Sequence, residues 1–293
     1  MRVGIVDVGS NTMRLLVADA GPIRLDPVGE AKMPLALGED IERLGYITEE
    51  KVRALAKAVR DQGRRARKLG CDRLEVVLAS PGRQAANAAD VVALLERTSG
   101  AGVRILSAEE EAILAYDGAT VALPELAPTM AVCDVGGGST QLVVGSSEFG
   151  PAWVTSVDLG SLRLTQRALG GDPPGRAALD EARAEAARCF TAATPPLPKV
   201  AYAVGGTARN LTRIAGPVLG PDELAEAIDL LAEVPQKRLV ERFGVSAARA
   251  KTLAAGTVIL AEVQRRVAVE LTVVRGGLRE GAILAVVREA AAA

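Results

Sequence analysis

Apolar residues along this chain fall into short runs with two periods, and the switches between them predict most of its elements. Residues 3–6 form an apolar run ending at Asp7, a Gly-Ser-Asn turn follows, and residues 13–18 resume the run. A strand, a tight turn and a second strand are predicted, with strand-like pieces continuing to about residue 37. The helical period then takes over, with Val52, Leu55, Ala56 and Val59 at helical spacing within residues 48–69, behind a Thr48 and Glu50 suited to a helix start. Residues 74–79 read as a buried strand, and Ser80-Pro81 opens a further helix with proline in its first turn. Residues 103–106 read as a short strand and 108–121 as a helix.

The Leu-Pro-Glu-Leu-Ala-Pro stretch at 123–128 breaks both periods and predicts a boundary between a domain of residues 1–123 and a second of residues 129–293. After it the opening pattern restarts, with strands at 130–133, 141–145 and 154–158 and a glycine loop at 136–138. Proline-rich breaks at 172–175 and 194–198 bracket a helix. A strand at 200–204 runs into Gly205-Gly206, helices fill most of 221–269, and a last strand at 271–274 precedes a helix from Leu278. A length of 293 residues suits two domains, each able to bury a core.

Composition narrows the chemistry. With 49% hydrophobic residues, 24% charged and a net charge of −1, the chain reads as globular and lacks the field that steers proteins onto polyanions. Aromatic residues are 2% of the total, which removes the stacking platforms of single-strand binders, so nucleic acid is not an expected partner. No run approaches the roughly 18 uncharged residues of a membrane span, and a cytoplasmic protein is expected. Cys71, Cys133 and Cys189 are scattered without metal-type spacing and are expected to be small buried residues. The absence of histidine excludes Ser-His-Asp and Cys-His catalysis and leaves acid–base work to carboxylates, Lys or Tyr.

One motif occurs twice. Asp-Val-Gly-Ser-Asn-Thr-Met-Arg-Leu-Leu-Val from Asp7 aligns without a gap with Asp-Val-Gly-Gly-Gly-Ser-Thr-Gln-Leu-Val-Val from Asp134. A carboxylate at the end of a buried strand is costly unless it is paired, hydrogen-bonded or near a metal, so Asp7 and Asp134 each mark a polar strand end or a side chain that ties down its own loop. Gly136, Gly137 and Gly138 let the backbone expose successive N–H groups, an anion-binding concavity. The hydroxyls of Ser10, Thr12, Ser139 and Thr140 add donors. Gly205-Gly206-Thr207 reads equally as a third phosphate loop or as an ordinary strand-to-helix connection. The run Glu109-Glu110-Glu111, in a first helical turn, suits the positive end of the helix dipole.

Seven segments, DVGSNTMRLLV, ASPGRQAANAADV, SAEEEAILAYDG, CDVGGGSTQLVVG, DLGSLRLTQ, AVGGTARNL and RGGLREGAIL, occur in one order. By that ordered set, nearly the whole chain resembles the exopolyphosphatase and guanosine pentaphosphate phosphohydrolase (Ppx/GppA) phosphatases in their short, two-domain form. The resemblance implies an α/β fold of two actin-like, ribonuclease H-like domains, of the sugar kinase, heat-shock chaperone and actin superfamily, with the active site in the cleft between them. It implies that Glu111 is the general base, that Asp134 and Asp7 with Gln141 lie at a Mg²⁺ or other divalent cation, and that Ser10, Asn11, Thr12, Arg83, the 136–138 glycines, Ser139 and Gly205-Gly206-Thr207 hold phosphate. Asn87, one helical turn beyond Arg83, is expected to face the same way. The implied reaction is hydrolysis of the terminal phosphoanhydride of inorganic polyphosphate. Guanosine pentaphosphate is the alternative substrate, a non-catalytic polyphosphate or alarmone sensor the alternative class, and a homodimer the implied assembly. Three positions depart from the family pattern: Gln141 replaces a glutamate, Ile113 an arginine and Ala108 a glycine.

Overall fold

The computed structural model describes residues 1–21 and 24–292. Its contacts divide the chain into two compact units, Met1–Val121 with Gly277–Ala293, and Ala122–Gly276.

In the first unit, β1 (Arg2–Val8), β2 (Thr12–Ala20) and β3 (Leu25–Pro34) form an antiparallel meander. Helices α1 (Leu37–Leu44) and α2 (Glu49–Lys68) follow, then β4 (Arg73–Leu78), α3 (Ser80–Gln84), α4 (Ala88–Ser99), β5 (Gly102–Ile105) and α5 (Ala108–Thr120). The sheet order is β3-β2-β1-β4-β5, with β4 and β5 parallel to β1. Alternation along β1 explains why both faces are covered: Val6 and Val8 pack with Leu55, Val59 and Leu95 on one side, and Val3 and Ile5 with Leu114 and Ile283 on the other. The sequence pattern missed α1, and α3 and α4 are separate helices because Ala85, in an extended conformation (φ −80°, ψ 127°), ends α3. The Asn87 amide clamps the Ile47 backbone, accepting its N–H at 3.0 Å and donating to its carbonyl at 2.8 Å, so Asn87 does not share the direction expected of a side chain one turn beyond Arg83.

The second unit repeats the plan. Strands β6 (Thr129–Val135), β7 (Thr140–Ser146) and β8 (Gly150–Val157) form the meander, followed by α6 (Ser161–Ala168), α7 (Arg176–Cys189), β9 (Val200–Val204), α8 (Gly205–Ala215) and β10 (Val218–Leu219). Then come α9 (Pro221–Glu233), α10 (Gln236–Phe243), α11 (Ala247–Ala250), α12 (Leu253–Val267) and β11 (Leu271–Val273). The sheet order β10-β11-β9-β6-β7-β8 contains the first unit's order, read in the opposite direction, with β10 added at the edge. The short repeat seen in the sequence is therefore part of a repeated sheet, and the fold class is α/β with two mixed-sheet units of the same core strand order. Cys133 is buried in this core, whereas Cys71 and Cys189 are only half-buried.

The last helix, α13 (Leu278–Ala292), corrects the expected second domain of residues 129–293 at its end, because it groups with the first unit. Two glycines permit this docking. A Cβ on Gly118 of α5 would lie 1.8 Å from the Gly277 carbonyl oxygen, and one on Gly281 would lie 1.9 Å from that of Leu114. Arg288 adds an ion pair to Asp117 at 2.6 Å. Among the described residues no helix is long and apolar enough to cross a membrane.

Candidate active site

Both hairpin turns close with the same hydrogen bond, from Gly9 N–H to the Thr12 carbonyl (3.3 Å) and from Gly136 N–H to the Ser139 carbonyl (3.0 Å). Both are also pinned by their carbonyls. In the second, the Gly136 oxygen accepts the N–H and hydroxyl of Ser161 (2.9 and 3.0 Å), and the Gly137 oxygen accepts the N–H groups of Leu162 and Arg163 (2.9 and 3.1 Å). These peptides are trans, so each carbonyl points opposite to the N–H that follows it. Pinning the two carbonyls onto the start of α6 therefore turns the N–H groups of Gly137 and Gly138 away from it. No turn or loop hydrogen bond uses either N–H as donor among the described residues. Two successive outward N–H groups form an anion-binding concavity. Gly160 makes the approach possible, since a Cβ there would lie 2.4 Å from the Gly137 carbonyl carbon.

The first loop is pinned by the segment leading into α1: the Ser10 oxygen accepts Gly38 N–H (2.8 Å) and the Asn11 oxygen accepts Leu35 and Ala36 N–H (both 3.1 Å). The same peptide geometry turns Asn11 N–H outward. The Ser10 hydroxyl lies 2.7 Å from that of Ser80, both side chains being buried. Asn11 is buried and Thr12 half-buried.

Arg83 and Glu111, expected in different roles, meet directly in the first unit. The Arg83 guanidinium donates to a Glu111 carboxylate oxygen at 2.7 Å and to the Leu106 carbonyl at 2.9 Å. The start of α5 assigns separate tasks to its three glutamates. Glu110 completes a capping box, taking the Ser107 N–H at 2.7 Å while its own N–H donates to the Ser107 hydroxyl at 3.0 Å. Glu109 is exposed, and Glu111, two positions on, is 8% exposed and turned to Arg83. The capping bond from Ser107 N–H, with the hydroxyl and Arg104 assisting against burial, holds the Glu110 carboxyl below the ordinary glutamate range.

In the second unit Asp134 stands opposite Gln141 in the β6–β7 register, and Gln141 opposite Ser156 in β7–β8, so the three form a row across the sheet. The buried Gln141 amide donates to the hydroxyls of Ser139 (2.9 Å) and Ser156 (3.2 Å). Asp134 also reaches the start of α8: a Cβ on Gly205, whose φ is +86°, would lie 2.1 Å from its Oδ1, so only glycine fits. Thr207 has a structural task, its buried hydroxyl donating to the Val135 carbonyl at 2.9 Å, which leaves the start of α8 tied to the end of β6. Asp7, half-buried on β1, lies opposite Arg14 in register. Gly160, Ser161 and Ser80 escaped the sequence reading, although DLGSLRLTQ and ASPGRQAANAADV contain them.

No group of three or more Asp, Glu or Cys side chains poised for one ion occurs among the described residues. The second unit instead offers one carboxylate, Asp134, beside neutral oxygens. That donor set fits Mg²⁺, which keeps several waters and is held by one or two carboxylates together with phosphate oxygens, and does not fit an all-protein cage.

A duplicated α/β unit whose hairpin loops present N–H groups beside carboxylates defines a phosphate-handling class of protein. Residues 16–290 match the model of the Ppx/GppA phosphatase family, and the chain belongs to that family. It is 31% identical to exopolyphosphatase 1 of Mycobacterium tuberculosis over 302 aligned positions, covering 97% of this chain and 88% of that protein. With exopolyphosphatase 2 of the same organism it shares 30% identity, covering 82% and 78%. A Ppx/GppA family member from Aquifex aeolicus superposes with a TM-score of 0.83 at 25% identity, covering 99% of this chain and 98% of that one.

Proposed function

We propose that the protein hydrolyses the terminal phosphoanhydride bond of inorganic polyphosphate. Glu111 takes a proton from water as the water oxygen bonds to the terminal phosphorus. The P–O bond to the penultimate phosphate breaks, and orthophosphate leaves with a chain shortened by one unit. Arg83 orients the Glu111 carboxylate, while the outward N–H groups of Asn11, Gly137 and Gly138 and the Ser10 hydroxyl hold phosphate oxygens. Asp134 would hold Mg²⁺, which neutralises phosphate charge when bound. The observation that carries the reading is Glu111, which alone among three consecutive glutamates is buried, and which Arg83 grips at 2.7 Å.

Orthophosphate release from polyphosphate, guanosine pentaphosphate and ATP, with and without Mg²⁺, tests the reading. Polyphosphate should be the preferred substrate. Glu111→Gln, which keeps an oxygen for Arg83, should lower kcat by about 10²–10⁴-fold, the usual contribution of a positioned base, with the fold retained. Asp134→Asn should raise the Mg²⁺ concentration needed for half-maximal rate. Wild-type turnover by Glu111→Gln would remove Glu111 from the chemistry, and preference for guanosine pentaphosphate would replace the substrate.

A further inference from the structure

The hydroxyl pair between Ser10 and Ser80 has one hydrogen too many for the protein around it. Each serine hydroxyl carries a single hydrogen and accepts through its lone pairs. One of the two hydrogens fills the 2.7 Å contact, and the other meets no acceptor among the described residues. Both residues are largely buried, with relative exposures of 3% and 4%. A buried donor without an acceptor is costly, and an acceptor-only ligand, such as a phosphoryl oxygen, removes that cost.

The backbone indicates which hydroxyl faces the ligand. The parallel register of Val8 with Leu78 brings residues 79–80 beside the first loop, and Ala79 N–H donates to the Val8 carbonyl at 3.2 Å. Ser80 thus stands at the end of β4 at the root of the loop. Ser10 is on the loop itself, next to the outward N–H of Asn11. Ser80 is also the first residue of α3, which carries Arg83 and through it meets Glu111.

We propose that Ser80 is a positioning residue for bound phosphate: its hydroxyl donates to the Ser10 oxygen, and the Ser10 hydrogen is thereby directed onto a phosphoryl oxygen. The proposal rests on reading the 9–12 loop as a phosphate grip. Its consequence is that Ser80 acts only through Ser10, without touching substrate.

Calorimetric titration of the full-length protein with inorganic phosphate and with tripolyphosphate, without turnover, tests this. The proteins compared are wild type, Ser10→Ala, Ser80→Ala, Ser80→Thr and the Ser10→Ala/Ser80→Ala double variant. Ser80→Ala should weaken binding about tenfold, the effect of one directed hydrogen bond to an anion. Ser80→Thr, which keeps the hydroxyl, should restore most of it, a recovery that loss of packing does not predict. The double variant should bind no more weakly than Ser10→Ala. Additive losses, or wild-type affinity in Ser80→Ala, would overturn the proposal and leave the hydrolase reading intact. Absence of phosphate binding by the wild type would instead overturn the reading of the loop. Should Ser80→Ala fold poorly, Ser80→Thr and the Ser10→Ala background carry the same comparison: Ser80→Thr must bind like wild type when Ser10 is present and make no difference when it is absent.

Discussion

The two hairpin loops share a backbone device and differ in what surrounds it. Each closes with the same hydrogen bond and is pinned by its carbonyls to residues at or just before the start of a helix, which turns the following N–H groups outward. The 136–138 loop presents glycine N–H groups and stands beside Asp134, with the neutral Gln141 opposite in the strand register. The 9–12 loop combines one outward N–H with a buried hydroxyl, in the unit that contains the Arg83–Glu111 pair. On the proposed reading, a duplicated grip is combined with two chemistries, Glu111 as the base in the first unit and Asp134 as the carboxylate suited to a metal in the second.

The comparison breaks most severely if the second loop can be displaced without consequence. Gly160→Ala sets a Cβ 2.4 Å from the Gly137 carbonyl carbon and 2.5 Å from its oxygen, so the loop backbone must move. A displacement of about 1 Å at a site that orients substrate costs on the order of 10²-fold, and polyphosphate turnover should fall by about that much. Ser161→Ala, which removes one of two hydrogen bonds to Gly136 and keeps the other, should cost only a few-fold. Equal rates for wild type and Gly160→Ala would mean that the second loop does not hold substrate.

Much of this comparison is legible in the amino-acid sequence. The aligned Asp-Val-Gly segments announced the repeat, and the ordered motifs singled out Arg83, Glu111 and Asp134. What stayed hidden depends on contacts between residues far apart in the chain. Nothing in local spacing says that Arg83 spends its guanidinium on Glu111, that the Thr207 hydroxyl is tied to Val135, or that Gly160 lies against Gly137. The end of the second domain was misread for a related reason. Helix α13 is apolar over much of its surface, which states that it is buried but not against which sheet, and the answer lies in Gly118 and Gly281.

A middle-sized effect sharpens the metal side of the comparison. Gln141→Glu replaces an amide donor with an acceptor of the same shape beside Ser139 and Ser156. Both hydroxyls can rotate from accepting to donating, so the fold should tolerate the change. The added charge in the row with Asp134 should lower the Mg²⁺ concentration for half-maximal rate several-fold. An unchanged Mg²⁺ dependence, measured by phosphate release across a metal titration, would show that the metal is not held in that row.

The smallest effect concerns the glutamate beside the proposed base and separates helix capping from chemistry. The Glu110 carboxyl is held below its ordinary value of 4.5, first by the Ser107 N–H and also by the Ser107 hydroxyl and Arg104. A group whose value is lower folded than unfolded stabilises the protein fully above the unfolded value, and that contribution fades as pH falls through the folded one. Glu110→Gln keeps an oxygen for the Ser107 N–H but loses the charge that makes the bond pH-dependent. Melting temperatures of the two proteins should therefore differ most near neutral pH, begin to converge as pH falls through about 4.5, and meet only below the lower folded value. Asp40, Glu185 and Glu262 also have lowered values, but these groups are present in both proteins and cancel in the difference. Because Glu110 points to the cap while Glu111 points to Arg83, kcat at neutral pH should change far less in Glu110→Gln than in Glu111→Gln. Comparable losses of kcat in the two variants would mean that the base had been assigned to the wrong glutamate.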